Sequence, residues 1–136
     1  NRRTNFDWLS NDKNHVDRYI EDKLCGCDVS LQSWLDVAEA VFYANQNLSM
    51  IPPNFPIFLL GGAQDPCTNY GKDMKKLAAR LERIGHYNCT HKTIESSRHE
   101  TLNELNKEHN AQIFLDWLKA QTNQNKDLSK RTKSYC

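Results

Sequence analysis

The chain has 136 residues and a net charge of +1 at neutral pH, with 26% charged and 38% hydrophobic residues. This balance is typical of one soluble globular domain with a hydrophobic core. The near-zero net charge argues against nucleic acid as a partner, and no apolar run approaches the roughly 20 residues that a transmembrane helix needs.

The cysteines and the first residues of the chain indicate its compartment. Five cysteines at irregular spacing do not suit a disulfide-framed secreted module, which carries an even and denser set. The chain begins Asn-Arg-Arg, without an initiator Met or a signal peptide, and this start suggests excision from a longer chain. We expect reduced thiols and a cytoplasmic protein, with peripheral binding to membranes as an alternative.

Two helices are predicted before the first strand. The first begins near Asn11 or Asp12, either of which can cap it, and it ends before residues 24–26, where Gly26 breaks it. Ser30 can cap the second helix, which the proline-rich connector at residues 51–56 ends. Apolar residues at helical spacing mark both helices: Val16, Tyr19 and Ile20 in the first, and Leu31, Trp34, Leu35, Ala38, Val41 and Phe42 in the second.

The second half of the chain predicts the order strand, helix, strand, helix. Residues 56–62 form an apolar run closed by glycines, as in a buried parallel strand, and residues 89–95 form a second, less apolar strand. One helix covers residues 71–84 between the strands, and the last helix covers residues 103–119. The buried faces of these two helices are predicted to comprise Met74, Leu77, Ala78, Leu81 and Ile84, and Leu102, Leu105, Ile113, Phe114, Trp117 and Leu118.

Helices that connect parallel strands define an α/β architecture. Two strands do not make a stable sheet by themselves, so we expect further strands from outside this chain. From Gln121 to Cys136 the composition is polar and has no periodicity. We expect this segment to be a disordered tail or a flexible extension.

Two polar residues follow the two predicted strands. Asp65 comes just after the first strand and His99 just after the second. Because the carboxyl ends of parallel strands lie at one edge of a sheet, the carboxylate can bond one imidazole nitrogen and leave the other to accept a proton from a nucleophile. Each residue alone also fits a structural role, since an Asp before Pro often caps a turn and a lone His is often a surface residue. Their equivalent positions favour a catalytic pair.

Three motifs of the second half carry a family resemblance. Residues 58–66 are Phe-Leu-Leu-Gly-Gly-Ala-Gln-Asp-Pro, residues 98–104 are Arg-His-Glu-Thr-Leu-Asn-Glu, and residues 114–118 are Phe-Leu-Asp-Trp-Leu. They resemble the end of an α/β-hydrolase, most closely the monoacylglycerol lipase and lysophospholipase-like serine hydrolases. The resemblance implies that Asp65 is the acid and His99 the base of a catalytic triad.

The first residues are similar to the cap region of the same hydrolases, in residues 8–12, 16–19 and 22–26. Residues 1–28 would then be a cap-like helical segment. Residues 29–120 would be the C-terminal portion of the α/β core, with its last two parallel strands and their flanking helices. Six cap residues could line an acyl-chain pocket, although plain packing explains each of them as well: Trp8, Leu9, Val16, Tyr19, Leu24 and Cys25.

The chain departs from the family pattern at the nucleophile. None of its serines lies in a G-x-S-x-G motif, and it has no His-Gly loop that could complete an oxyanion hole. The resemblance places both in an N-terminal half, so we expect this chain alone to be inactive. The intact protein is expected to cleave lipid-like carboxylic esters, such as lysophospholipids or monoacylglycerols, without a cofactor. Alternatives are a non-catalytic binding module, or a fragment that completes its sheet by forming a homo-oligomer.

Metal-ligand residue types occur without the spacing of a structural zinc site. The stretch Cys25-x-Cys27 and residues 86–91, where two histidines flank a cysteine, lack the paired knuckles that such sites use. We therefore predict no metal site. Cys67 lies near Asp65, and the carboxylate disfavours its thiolate, which argues against a reactive thiol.

Overall fold

The computed structural model describes the backbone of residues 3–133 and the side chains of residues 3–123. Its helices are α1 (Lys13–Glu21), α2 (Leu31–Gln46), α3 (Lys72–Arg83) and α4 (Lys107–Lys133), and its strands are β1 (Ile57–Gly62) and β2 (Cys89–Ile94). Short 3₁₀ turns lie at Leu48–Met50, Pro66–Thr68 and Thr101–Asn103. Over the described residues, this order confirms the predicted succession of two helices, then strand, helix, strand and helix.

The two strands pair in parallel. The register places Ile57 opposite Cys89 and Gly62 opposite Ile94. Helix α3 connects the strands and packs against both of them, as a strand–helix–strand unit requires. The arrangement is compatible with part of an α/β fold, and it brings both carboxyl ends to one edge of the sheet.

The helices begin where local capping chemistry allows. The Asp12 carboxylate accepts the backbone N–H of Asn14 at 2.9 Å, so Asp12, and not Asn11, caps α1. The Ser30 hydroxyl accepts the backbone N–H of Ser33 at 3.1 Å, as predicted for α2. Both bonds satisfy donors that the first turn of a helix leaves without an intrahelical partner.

The buried apolar side chains come from the N-terminal segment, α1, α3 and β2. They are Leu9, Val16, Met74, Leu81 and Ile94.

Helix α2 contributes no buried side chain. Its predicted apolar stripe is exposed along its length, including Trp34 and Phe42. An exposed apolar surface of this extent is typical of an interaction surface. Arg80 of α3 donates a hydrogen bond to Asn45 Oδ1 of α2 at 2.8 Å.

Within residues 3–133, no helix is both long enough and apolar enough to cross a bilayer.

The start of the last helix differs from the prediction. We expected a helix from Asn103, which instead ends a 3₁₀ turn, and α4 begins at Lys107. Glu104 interrupts the helix because its backbone is extended (φ −82°, ψ 169°) and its buried carboxylate binds N–H groups of other segments. Leu102 and Leu105, predicted to lie on the buried side of the helix, are therefore exposed.

The end of α4 also differs from the prediction. The polar composition predicts a disordered tail over residues 121–136, whereas α4 continues to Lys133. Lys and Gln are good helix formers, and an existing helix extends without the cost of a new nucleus. Polar residues can therefore prolong a helix without contributing an apolar face. Residues 134–136 lie outside the described residues.

Candidate active site

Asp65 and His99 meet at the carboxyl edge of the sheet. Just beyond the strands, the backbone N–H of Gln64 donates to the carbonyl oxygen of Ser97 at 2.9 Å. This bond prolongs the parallel pairing into the two loops that follow β1 and β2. The loops therefore run side by side and bring the acid and the imidazole together.

One hydrogen bond defines the pair. His99 Nδ1 lies 3.2 Å from Asp65 Oδ2, and the other oxygen, Oδ1, accepts the backbone N–H of Cys67 at 2.8 Å. Asp65 has only 2% of its side chain exposed, whereas His99 has 41% exposed. The carboxylate caps the turn at Pro66–Thr68 with one oxygen and holds the imidazole with the other. Its role in the turn and its contact with His99 are therefore compatible.

The contact with Asp65 sets the tautomer of His99. An ionised carboxylate only accepts hydrogen bonds, so Nδ1 carries the proton and donates it. In the neutral imidazole Nε2 is then the acceptor, and it has no hydrogen-bond partner among the described groups. An imidazole held in this way can take a proton at Nε2 while the buried carboxylate stabilises the resulting imidazolium.

A close backbone approach requires glycine at the end of β1. A Cβ atom at Gly62 would lie 2.1 Å from the carbonyl oxygen of Ser97 and 2.2 Å from that of Arg98. Both distances are far inside van der Waals contact. The loop that carries His99 therefore reaches β1 only because residue 62 has no side chain. From the sequence alone, Gly61 and Gly62 indicated the end of a strand, but not that residue 62 must be glycine.

A buried carboxylate fixes the His99 loop to the N-terminal segment. Glu104 is 1% exposed. Its Oε1 accepts the backbone N–H of Arg98 at 2.6 Å, and its Oε2 accepts that of Asn11 at 2.9 Å. Hydrogen bonds to an ionised acceptor are stronger than neutral ones, so Glu104 firmly joins the loop before α4 to residues that precede α1.

The N-terminal segment brings Trp8 to the imidazole. The backbone N–H of Glu100 donates to the carbonyl oxygen of Leu9 at 2.8 Å, and the Arg98 guanidinium donates to two further carbonyl oxygens of this segment. The rings of Trp8 and His99 pack with their centroids 4.9 Å apart and their planes tilted by 55°. An indole therefore forms one wall beside the imidazole.

Two further side chains, which no sequence motif marks, hold the same loop in place. Asn110 of α4 is buried, and its Nδ2 donates to the carbonyl oxygen of Thr101 at 2.6 Å. His15 of α1 lies with Nε2 2.5 Å from Glu100 Oε2. In the sequence, an Asn and a His in polar helices look like exposed residues. Only the hydrogen bonds of the folded chain give each of them its structural role.

The first three of the six predicted pocket residues differ in exposure. Trp8 is half-buried and packs on His99. Leu9 and Val16 are buried among other side chains. They present almost no surface that a substrate could contact, and this fits the packing alternative for these two residues.

The other three predicted pocket residues lie farther along the segment. Tyr19 packs on Phe6, with ring centroids 5.1 Å apart, and its hydroxyl accepts the backbone N–H of Gly26 at 3.1 Å. Leu24 is exposed, and Cys25 is half-buried. Of the six residues, Trp8 is therefore the one whose ring packs on the ring of His99.

Cys67 lies beside the pair. Burial and the negative charge of Asp65 raise the pKa of the Cys67 thiol, in the direction that we expected from the neighbouring carboxylate. The sulfur, a carboxylate oxygen of Asp65 and a ring nitrogen of His99 all lie within 4.8 Å of one another. These three atoms are of the types that bind metal ions, although the sequence spacing did not suggest a metal site here.

A comparison with protein families gives a match that contains this site. The Hydrolase_4 family model, described as serine aminopeptidase, S33, matches residues 1–106. The matched range includes both strands, Asp65 and His99. A search of the curated proteins found no significant match.

Proposed function

The chain belongs to the Hydrolase_4 family (serine aminopeptidase, S33) of α/β-hydrolases, and we propose that Asp65 and His99 are the acid and the base of its catalytic triad. The observation that carries the proposal is the 3.2 Å contact between Asp65 Oδ2 and His99 Nδ1. The contact lies at the carboxyl edge of a parallel sheet, where open α/β folds collect their functional groups.

In the proposed reaction, a serine oxygen attacks the acyl carbon of the substrate while His99 Nε2 takes the serine proton. The tetrahedral intermediate then expels the leaving group, to which His99 returns the proton, and an acyl-enzyme remains. Water attacks the acyl-enzyme by the same route and regenerates the serine. Asp65 stays ionised throughout, and it orients the ring and stabilises the imidazolium.

The nucleophile comes from outside this chain in our proposal. No serine of the sequence lies in a G-x-S-x-G elbow. Ser97 is near His99 in the chain, but it is buried and its hydroxyl accepts Asn110 Nδ2 at 3.1 Å. We infer that an N-terminal half supplies the serine, the oxyanion hole and the further strands that the two-stranded sheet needs.

For the substrate we propose a lipid-like carboxylic ester, such as a monoacylglycerol or a lysophospholipid. The cap-like sequence of the first 28 residues supports this choice. So does the indole of Trp8 beside His99, because an apolar wall next to the base suits an acyl chain. Binding sites for such ligands are mostly apolar, with few polar groups that fix orientation.

A second candidate function is hydrolysis of an N-terminal peptide bond. The description of the matching family as serine aminopeptidase favours it. The same acid and base serve esters and amides, since both substrates pass through an acyl-enzyme. The two functions differ in recognition, because an aminopeptidase must bind the ammonium group of its substrate and a lipase must bind an acyl chain.

The proposal is tested by labelling the full-length protein with a fluorophosphonate, which reacts with activated serines. We expect labelling of the wild type and of His109→Ala, whose ring is exposed on α4. His99→Ala should lose labelling, because the serine then has no base. Hydrolysis of a monoacylglycerol, a lysophospholipid and an aminoacyl amide by the same proteins distinguishes the two candidate functions.

Two outcomes would contradict the proposal. If His99→Ala is labelled and turns over substrate like the wild type, His99 is not the base. If the folded wild type is not labelled and cleaves none of the three substrates, the hydrolase assignment fails for this protein. The chain is then better explained as a non-catalytic binding module with a hydrolase-like fold.

A further inference from the structure

A third side chain with a metal-binding atom lies beside Asp65 and His99. Cys67 belongs to the turn Pro66–Thr68, and its backbone N–H donates to Asp65 Oδ1 at 2.8 Å. That bond ties the residue to the carboxylate and leaves Oδ2 facing the imidazole. The proposed hydrolytic reaction gives the thiol of Cys67 no part.

The separation between Asp65 Oδ2 and His99 Nδ1 suits a small tetrahedral ion. Asp65 Oδ2 and His99 Nδ1 are 3.2 Å apart, and two ligands bound tetrahedrally to Zn²⁺ at about 2.0 Å stand roughly 3.3 Å apart. A thiolate bound at about 2.3 Å would stand roughly 3.5 Å from each of them. One ligand atom of each of the three residues lies within 4.8 Å of the other two, so binding requires a short approach of the exposed Cys67 side chain.

We propose that Asp65, Cys67 and His99 form a binding site for Zn²⁺. A thiolate, an imidazole and a carboxylate are the ligands that Zn²⁺ takes from proteins, whereas Mg²⁺ and Ca²⁺ prefer oxygen alone. The exposed sides of Cys67 and His99 leave the fourth position to water. Binding releases the proton of the thiol to solvent, while the ring proton leaves Nδ1 and Nε2 takes one up, so the imidazole stays neutral and no oxidation state changes.

Zn²⁺ bound here inhibits the hydrolase, and this part of the inference rests on the proposed function. The ion takes both atoms of the Asp65–His99 hydrogen bond, so the carboxylate no longer orients the ring through Nδ1. With the ion on Nδ1, the neutral ring carries its proton on Nε2, which can then no longer take the serine proton. Occupancy by the ion and turnover therefore exclude each other.

The remaining described cysteines provide matched controls. Among the described side chains, the group of Asp65, Cys67 and His99 is the one that brings three such ligand atoms within 4.8 Å. Cys27 is exposed, and Cys89 is half-buried at the start of β2. Replacing either of them by serine removes a thiol without removing a proposed ligand.

Binding is tested on the full-length protein with Co²⁺, which occupies zinc sites and reports a thiolate ligand by charge-transfer absorption in the near ultraviolet. We expect this absorption in the wild type, Cys27→Ser and Cys89→Ser, and its loss in Cys67→Ser. In competition with Zn²⁺, the Cys67→Ser protein should bind the ion at least about tenfold more weakly, since even the loss of groups that only support ligands has an effect of this size. A thiolate band that persists in Cys67→Ser, or that is absent from the wild type, overturns the site.

Inhibition is measured separately, as the slowing of fluorophosphonate labelling by Zn²⁺. We expect the Cys67→Ser protein to need at least about tenfold more Zn²⁺ than the wild type for the same slowing. If Co²⁺ binds through Cys67 and Zn²⁺ leaves labelling unchanged, the inhibitory role is wrong. If the protein is neither labelled nor able to cleave a substrate without Zn²⁺, the hydrolase proposal fails, while the cobalt spectrum still decides whether the ion site exists.

Discussion

Glu104 accepts the backbone N–H of Arg98 at 2.6 Å, one residue before His99. Its second oxygen accepts the backbone N–H of Asn11 at 2.9 Å, in the segment that also carries Trp8. One buried carboxylate therefore holds the backbone on both sides of the Trp8–His99 contact. The shape of the candidate site depends on a residue that hydrogen-bonds neither of these side chains.

Glu104→Ala is expected to lower the free energy of unfolding by about 3 kcal/mol, because it leaves two backbone N–H groups without their charged acceptor. Glu104→Gln keeps the shape and one acceptor oxygen, so its loss should be about half as large. Urea unfolding measures both. Glu108→Gln, at an exposed position of α4, is the matched control and should change stability by less than about 0.5 kcal/mol. An equally small effect of Glu104→Ala would show that this carboxylate does not stabilise the loop.

Gly62→Ala is expected to be among the most destabilising single changes in β1. Its Cβ would meet backbone atoms at 2.1 Å and 2.2 Å, which cannot move without separating the two loops. Gly61→Ala is the matched control, because its Cβ would meet only the flexible end of Met74 at 2.8 Å. Thermal unfolding should show a loss of more than about 3 kcal/mol for Gly62→Ala and about 1 kcal/mol for Gly61→Ala. Equal losses would mean that the loop does not approach β1 this closely in solution.

Local signals in the sequence were sufficient to predict the order of the helices and strands. The cap at Ser30 and the apolar run at residues 56–62 depend on neighbours along the chain, and the structure has both where they were predicted. The positions of Asp65 and His99 after their strands also follow from this order. Their proximity then follows from the parallel pairing of the strands.

Contacts between distant parts of the chain explain what the sequence did not reveal. The start of α4 was placed too early because Glu104 binds Asn11, 93 residues away, instead of continuing a helix. The need for glycine at residue 62 likewise depends on which segments pack together, since the carbonyl oxygens of Ser97 and Arg98 approach it from the loop after β2. Amino-acid periodicity contains no information on such pairings, because it reports only the local face of an element.

Acid should weaken the N-terminal segment through Asp7. The Thr4 hydroxyl, helped by the backbone N–H groups of Thr4 and Arg3, lowers the pKa of Asp7 from 3.8 to about 2. A carboxyl with a depressed pKa in the folded state stabilises the fold above its unfolded pKa, and this contribution is lost as the pH falls from 3.8 to about 2. Urea unfolding over this range should show a steeper loss of stability for the wild type than for Asp7→Asn. If the free energy of unfolding depends on pH in the same way in the wild type and in Asp7→Asn, the ionisation of Asp7 does not stabilise the fold.

In the full-length protein, Asp65→Asn is expected to reduce kcat by about 10⁴-fold while the protein stays folded. The amide oxygen can still accept the N–H of Cys67, but the amide NH₂ would face Nδ1 and favour the tautomer of His99 that carries its proton on Nε2. That tautomer cannot take the serine proton. Asp73→Asn, which removes an exposed carboxylate in the first turn of α3, is the matched control and should keep wild-type kcat. If Asp65→Asn also keeps it, the carboxylate does not set the tautomer of the base, and the 3.2 Å contact with His99 is structural.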